Sequence, residues 1–261
     1  MKTRNLYFVS VALLMFCLAP SGGKGAAGGG LGNPSVGGPA SPLDSNGAAL
    51  VSGVAKMIGP PPKLMAINMA QEPACAKMHG GQTTSEEVET GAGGTLANVV
   101  VYISSGLGDR SFQTPSQPVT MDQKGCMYGP HVLALQTSQK LQVVNSDPTS
   151  HNIHPLPANN REWNKSQPPG MPPIETSFAR EEISIPVKCN VHPWMRSYIA
   201  VFKHPYFAVT GKEGRFELRN LPPGSYTVTA WHEKFGTSEQ KITVAPNDSK
   251  NLEFIFKSKG Y

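Results

Sequence analysis

Cys189-Asn190-Val191-His192-Pro193-Trp194-Met195 places a thiolate, an imidazole and a thioether on seven consecutive residues. Three donors of such different softness, each three residues from the next, are too tightly grouped to be unrelated surface side chains. The residues before it, Ile183–Val187, and after it, Tyr198–Lys203, read as β-strands. The stretch is therefore a short loop joining two strands. A second imidazole is available upstream in Thr149-Ser150-His151-Asn152-Ile153-His154, where His151 competes with His154.

Working outward, short runs of β-branched and aromatic residues recur along the chain, broken by Gly, Pro, Asn and Asp. The clearest others are Leu50–Val54, Val99–Ser104, Val132–Gln136, Leu141–Asn145, Arg215–Leu218, Tyr226–Trp231, Lys241–Val244 and Leu252–Phe256. No segment carries a long 3.6-residue period. The chain is expected to be all-β and built of sandwiches. On such a frame, two His, one Cys and a weak axial Met form the ligand set of a blue-copper electron-transfer site. Thiolate favours Cu(I), imidazole accepts either oxidation state, and a long thioether bond disturbs neither.

These residues resemble the cupredoxins. Val143-Val144-Asn145-Ser146-Asp147-Pro148-Thr149-Ser150-His151-Asn152-Ile153-His154, followed by Cys-x-x-His-Pro-x-Met at 189–195, has the ligand-loop spacing of the amicyanin type. The resemblance covers roughly residues 95–203. It implies a Greek-key cupredoxin β-sandwich holding one type 1 mononuclear copper through His151, Cys189, His192 and Met195. It also implies that Asn152 braces the Cys loop. Pro193 and Trp194 flank His192, which is expected to be exposed and to face a redox protein acting as donor or acceptor. A single Cys on the loop does not support a binuclear copper site. The His-x-His pairs of a trinuclear oxidase cluster are missing as well, so an electron carrier is expected rather than an enzyme. The alternative is an extracytoplasmic binding or scaffold β-sandwich in which copper is structural or sequestered.

A second resemblance starts near His204-Pro205. Gly214-Arg215-Phe216-Glu217-Leu218, then Leu221-Pro222-Pro223-Gly224-Ser225-Tyr226-Thr227-Val228, is similar to the carboxypeptidase regulatory-like (transthyretin-like, prealbumin-like) β-sandwich family. That motif speaks to fold and is nearly silent on function. About fifty residues is short for an independent sandwich. Gly53-Val54 with Gly59-Pro60-Pro61 fits the family's opening pattern. The expected layout is thus a copper domain over 50–203, with its core at 95–203, and a regulatory-like sandwich over 204–261. Residues 50–70 are open to pairing with that C-terminal sandwich.

The N-terminal part bounds the compartment. Lys2 and Arg4 precede an apolar run from Leu6 to Ala19, which is short for a membrane span. Residues 1–19 are read as a signal peptide, with cleavage open up to 27. Residues 20–49 form a Gly/Pro/Ser linker that buries too little apolar surface to order itself. The expected location is the periplasm or the exterior, with an outer-membrane lipoprotein tethered through Cys17 as the variant. The formal charge of +5 falls to about +2 once Lys2, Arg4 and Lys24 leave, which gives no support for nucleic-acid binding. Cys75 and Cys126 remain, and in an oxidising compartment a leftover pair is most simply a disulfide. Two separate buried thiols, or a second metal site with His79 or His131, are the alternatives. His131 itself is read as structural.

Overall fold

The structure, a computed structural model, describes residues 47–80 and 83–259. The expected signal segment, Cys17 and the linker up to residue 46 lie outside the described residues. In chain order come β1 (Ala49–Ile58), β2 (Ala66–Ile67), α1 (Pro73–His79), β3 (Thr83–Thr84), β4 (Val100–Ser105) and β5 (Val119–Gln123). Then follow β6 (Tyr128–Gly129), β7 (Val132–Gln136), β8 (Leu141–Asn145), β9 (His151–Pro155), β10 (Lys165–Gln167) and β11 (Ile174–Thr176). The last are β12 (Glu182–Lys188), β13 (Arg196–Phe202), β14 (Phe207–Val209), β15 (Arg215–Leu221), β16 (Gly224–His232), β17 (Gly236–Val244) and β18 (Ser249–Lys257). The protein is mostly β, with one short α-helix among the described residues.

Two sandwiches result. The first packs the sheet β10-β9-β12-β13-β7 against the sheet β11-β8-β5-β6. Its core is Met121, Leu133, Leu135, Leu141, Val143, Ile153, Ile185, Val187, Ile199 and Val201, the inward half of each alternating strand. The second packs β15-β1-β18 against β14-β4-β16-β17, around Val51, Ala55, Val101, Phe216, Leu218, Val228 and Phe254.

The two sandwiches share a wall. Every residue of β7 is buried. Leu133 and Leu135 face the first core, while Val132 and Ala134, with Ala200 and Phe202 of β13, pack on Val100 and Phe207 of the second sandwich. A strand covered on both faces reads as a continuous apolar run rather than an alternating one, as Val132-Leu133-Ala134-Leu135 does.

The N-terminal segment belongs to the second sandwich. β1 runs parallel to β18, Val51 opposite Lys250, and antiparallel to β15, Gly53 opposite Phe216. Gly53 is required there: a Cβ would sit 2.6 Å from the Phe216 ring and 2.1 Å from the Leu252 carbonyl oxygen. One expectation needs correcting. Residues 95–105 were placed in the copper-domain core, yet β4 pairs with β14 and β16 of the second sandwich. The first sandwich therefore begins at β5 and is inserted between β4 and β14. The Pro-rich stretch 155–180 is partly strand: β10 pairs with β9 and β11 with β8.

Candidate metal centre

The loop 189–195 is closed at its base by strand pairing. Lys188 of β12 lies opposite Arg196 of β13. Inside it the Cys189 N–H donates to the Met195 carbonyl at 3.2 Å, and the Met195 N–H to the His192 carbonyl at 3.0 Å. Cys189 and Met195 thus stand side by side at the loop's two ends, in one buried apolar cluster, with His192 at its apex. His151 opens β9, the strand beside β12, and faces the same end of the sandwich. His154 is three residues further along the strand, an odd spacing that puts it on the other face. Its Nε2 pairs with Glu162 at 2.6 Å. Of the two competing imidazoles, His151 is the one in the cluster.

The donor atoms converge. His151 Nδ1 lies 2.9 Å from His192 Nδ1, and Cys189 Sγ lies 3.8 Å from His192 Nδ1. One donor atom from each of the three residues falls within 4.8 Å of the others. Around a tetrahedral first-row ion, two imidazole nitrogens stand about 3.3 Å apart and a nitrogen and thiolate sulfur about 3.6 Å. The observed separations fit such an ion. His151, His192 and Met195 are fully buried and Cys189 is 3% exposed, so the donors are shielded from bulk solvent.

Electrostatics prepare the donors. Burial pushes the Cys189 thiol up, but hydrogen bonds from His151 and the loop N–H groups outweigh it and lower its pKa below the ordinary thiol value. Burial lowers the His151 pKa, and Cys189 with Asp147 more than restores it. Burial and the neighbouring His151 hold His192 below the usual imidazole value. A metal-ligating thiolate is deprotonated and a ligating imidazole neutral, so the Cys189 and His192 shifts suit metal uptake. The raised His151 pKa means that a proton on its ring must leave when a metal binds.

The supporting residues are partly those expected. Asn152 Oδ1 accepts from the Asn190 N–H at 2.6 Å, and the Cys189 thiol lies 3.3 Å from the same oxygen. Asn152 Nδ2 donates to Asn164 Oδ1 at 2.7 Å. Asp147 was missed. Its carboxylate accepts from His151 Nε2 at 2.8 Å and from the Gly125 and Cys126 N–H groups at 2.7 Å each. A carboxylate on the far nitrogen fixes a ligating imidazole's tautomer and orientation. The only sequence signal was an acid four residues before His151, in an Asx-Pro turn.

Cys75 and Cys126 form a disulfide, buried beside the loop. Their sulfurs also crowd His192 and His151, but sulfurs bonded to one another are not thiolate ligands. Neither alternative metal site forms: His79 Nε2 bonds the Gly125 carbonyl, and His131 pairs with Glu233.

The expected exposure of His192 is not met. Its ring is fully buried. Nε2 lies 3.6 Å from Cys75 Sγ and 3.9 Å from the Glu72 carboxylate. The cover is α1, which starts at Pro73, ends at Gly80 in the left-handed conformation (φ 61°), and buries Cys75 alone. The disulfide fastens this helix over the imidazole edge. Pro193 and Trp194 flank His192 as expected, Trp194 with its ring centroid 5.2 Å from that of His192. Trp194 Nε1 donates to the Cys126 carbonyl at 3.1 Å.

Residues 198–257 match the model of the carboxypeptidase regulatory-like domain. The match begins inside β13 and omits β1 and β4, which complete that sandwich. No curated protein matches the chain. Among solved structures, a Cu-containing nitrite reductase from Thermus scotoductus is similar at 17% identity and a TM-score of 0.32, over 39% of this chain and 26% of that one. A purple cupredoxin from Nitrosopumilus maritimus is similar at 20% identity and a TM-score of 0.28, over 32% of this chain and 98% of that one. A Cu(I) amicyanin variant is similar at 16% identity and a TM-score of 0.27, over 39% of this chain and 97% of that one.

Proposed function

We propose that this chain is a periplasmic or secreted type 1 copper protein that carries single electrons between redox partners. The observation that supports it most is the convergence of His151 Nδ1, His192 Nδ1 and Cys189 Sγ in a buried cluster, with Met195 buried alongside. Copper, when bound, supplies a Cu(II)/Cu(I) couple, for which thiolate, imidazole and thioether suit both states.

The chain's own residues keep the donors from moving. The paired bases of β12 and β13 hold Cys189 and Met195 in place. Asp147 orients His151, and Asn152 ties down Asn190. Burial excludes water. A site that holds its shape between oxidation states reorganises little when an electron moves. With the Nε2 edge of His192 covered, electron exchange runs over the adjacent Trp194 face. The buried Cys75–Cys126 disulfide agrees with an oxidising compartment.

One observation favours a second reading, in which copper is structural or sequestered within an extracytoplasmic scaffold: the same covered edge of His192. Reduction separates the two. A carrier binds one equivalent of Cu(II), bleaches within seconds with one electron from ascorbate, and recolours on reoxidation. Copper that is held but not cycled leaves ascorbate unreacted until the protein is unfolded.

A further inference from the structure

A cavity of about 360 Å³ opens beside Trp194, away from the metal donors. Pockets of a few hundred cubic ångströms are of small-molecule size, and they favour boundaries between domains. This one lies where the first sandwich meets the 65–68 and 85–87 segments and Glu233 of the second. Met65, Ile67, Met127 and Trp194 form its apolar wall.

Its polar end is unusual. His131 has only 7% of its side chain exposed, and its Nε2 pairs with the equally buried Glu233. Its Nδ1 is buried without a hydrogen-bond partner among the described residues, and so is Glu86 Oε2. The two atoms lie 3.6 Å apart, too far for a hydrogen bond and close enough for one oxygen to reach both. Burial alone lowers the His131 pKa, but Glu233 and Glu86 overcome it and raise it to about 9. At neutral pH protonated His131 Nδ1 and Glu86 Oε2 then face each other as an ion pair at 3.6 Å, with neither atom's hydrogen bond made. Leaving such a pair unmade is costly. A hydroxyl both accepts and donates, so one hydroxyl answers both. Three carboxylates, Glu86, Glu87 and Glu233, line the cavity with protonated His131 and Arg196, and Glu87 is paired with Lys234 at 2.8 Å, a balance that suits a neutral ligand.

We propose that this cavity binds a small neutral aromatic alcohol, its ring against Trp194 and Met127 and its hydroxyl between His131 Nδ1 and Glu86. The binding stands independently of the metal. If the metal reading holds, the bound ring lies one indole from His192, where an electron donor would sit.

The test is calorimetric titration of the metal-free full chain with para-cresol and with 4-methylanisole, which keeps the ring and loses the hydroxyl proton. We expect saturable one-site binding of para-cresol, at least about tenfold weaker binding of 4-methylanisole, and a comparable loss in Glu86→Gln. Glu86 is 41% exposed, and a circular dichroism spectrum and melting curve matching the wild type are expected of this variant. The Trp194 indole proton resonance shifts on binding, and a Met127→Ala variant weakens both compounds alike. Absence of saturable binding, equal affinity for the two compounds, or a Glu86→Gln variant that binds para-cresol normally would each overturn the proposal.

Discussion

The Nε2 of His192 lies 3.6 Å from the Sγ of Cys75, so a disulfide sits on the outer edge of an imidazole whose inner nitrogen faces His151 and Cys189. Helix α1 is held there by the bond to Cys126, across 51 residues of sequence. The strap covers His192 on the side where a partner was expected.

The first prediction concerns that strap. Closing a loop of this length restricts the unfolded chain by about 4 kcal/mol in the chain-entropy model. A Cys75→Ser/Cys126→Ser variant should lose about 2–4 kcal/mol in urea unfolding. Its copper should also react faster with a charged outer-sphere oxidant, because the His192 edge is uncovered. An unchanged rate would mean that α1 does not limit access.

Asp147 gives the second. Asp147→Asn removes the carboxylate from His151 Nε2 and weakens its bonds to the Gly125 and Cys126 N–H groups. Copper affinity should fall about 10–100-fold, as for the loss of other supporting partners of metal-bound histidines. Competition with a chromophoric chelator measures it. His154→Asn, outside the converging donors and reaching the site only through the Asn190 and Asn164 side chains at 3.4 Å, should cost much less affinity than Asp147→Asn.

A third prediction is the pH dependence of stability. The His131 pKa is raised from 6.5 to about 9 in the folded protein. Its contribution is therefore fully present below about pH 6.5 and lost as pH rises through 9, on the order of 3 kcal/mol in all. Urea unfolding of the wild type should weaken over this window. Glu233→Gln, which removes the main partner of His131, should flatten the profile.

The wall between the sandwiches supplies the fourth. Phe202 is fully buried and stacks on Phe207, with ring centroids 4.7 Å apart at 18°. Phe202→Ala should cost about 3–5 kcal/mol. Because β7 and β13 serve both cores, thermal unfolding should shift as a whole rather than split into two transitions.

Much of this was legible in the sequence, for physical reasons. The donors at 189, 192 and 195 had to share one loop because strands ended on either side. The Leu221-Pro222-Pro223-Gly224 turn marked the second sandwich without its partners. What was hidden is long-range. Val99–Ser104 reads as a strand whichever sheet takes it, and only the pairing with β16 assigns it. Helix α1 is seven residues long, too short to show a helical period, so nothing in Pro73–His79 announced a cover for His192. Asp147 was invisible because a carboxylate in a turn is ordinary until its partners come near in space.

Copper ligation by Cys189 is read from the visible and electron paramagnetic resonance spectra of the protein loaded with one equivalent of Cu(II), beside Cys189→Ser. An electron-transfer site of this kind gives an intense blue thiolate-to-copper band with narrow copper hyperfine splitting, lost in Cys189→Ser. A pale tetragonal spectrum in folded protein, or a blue band that survives Cys189→Ser, would contradict it.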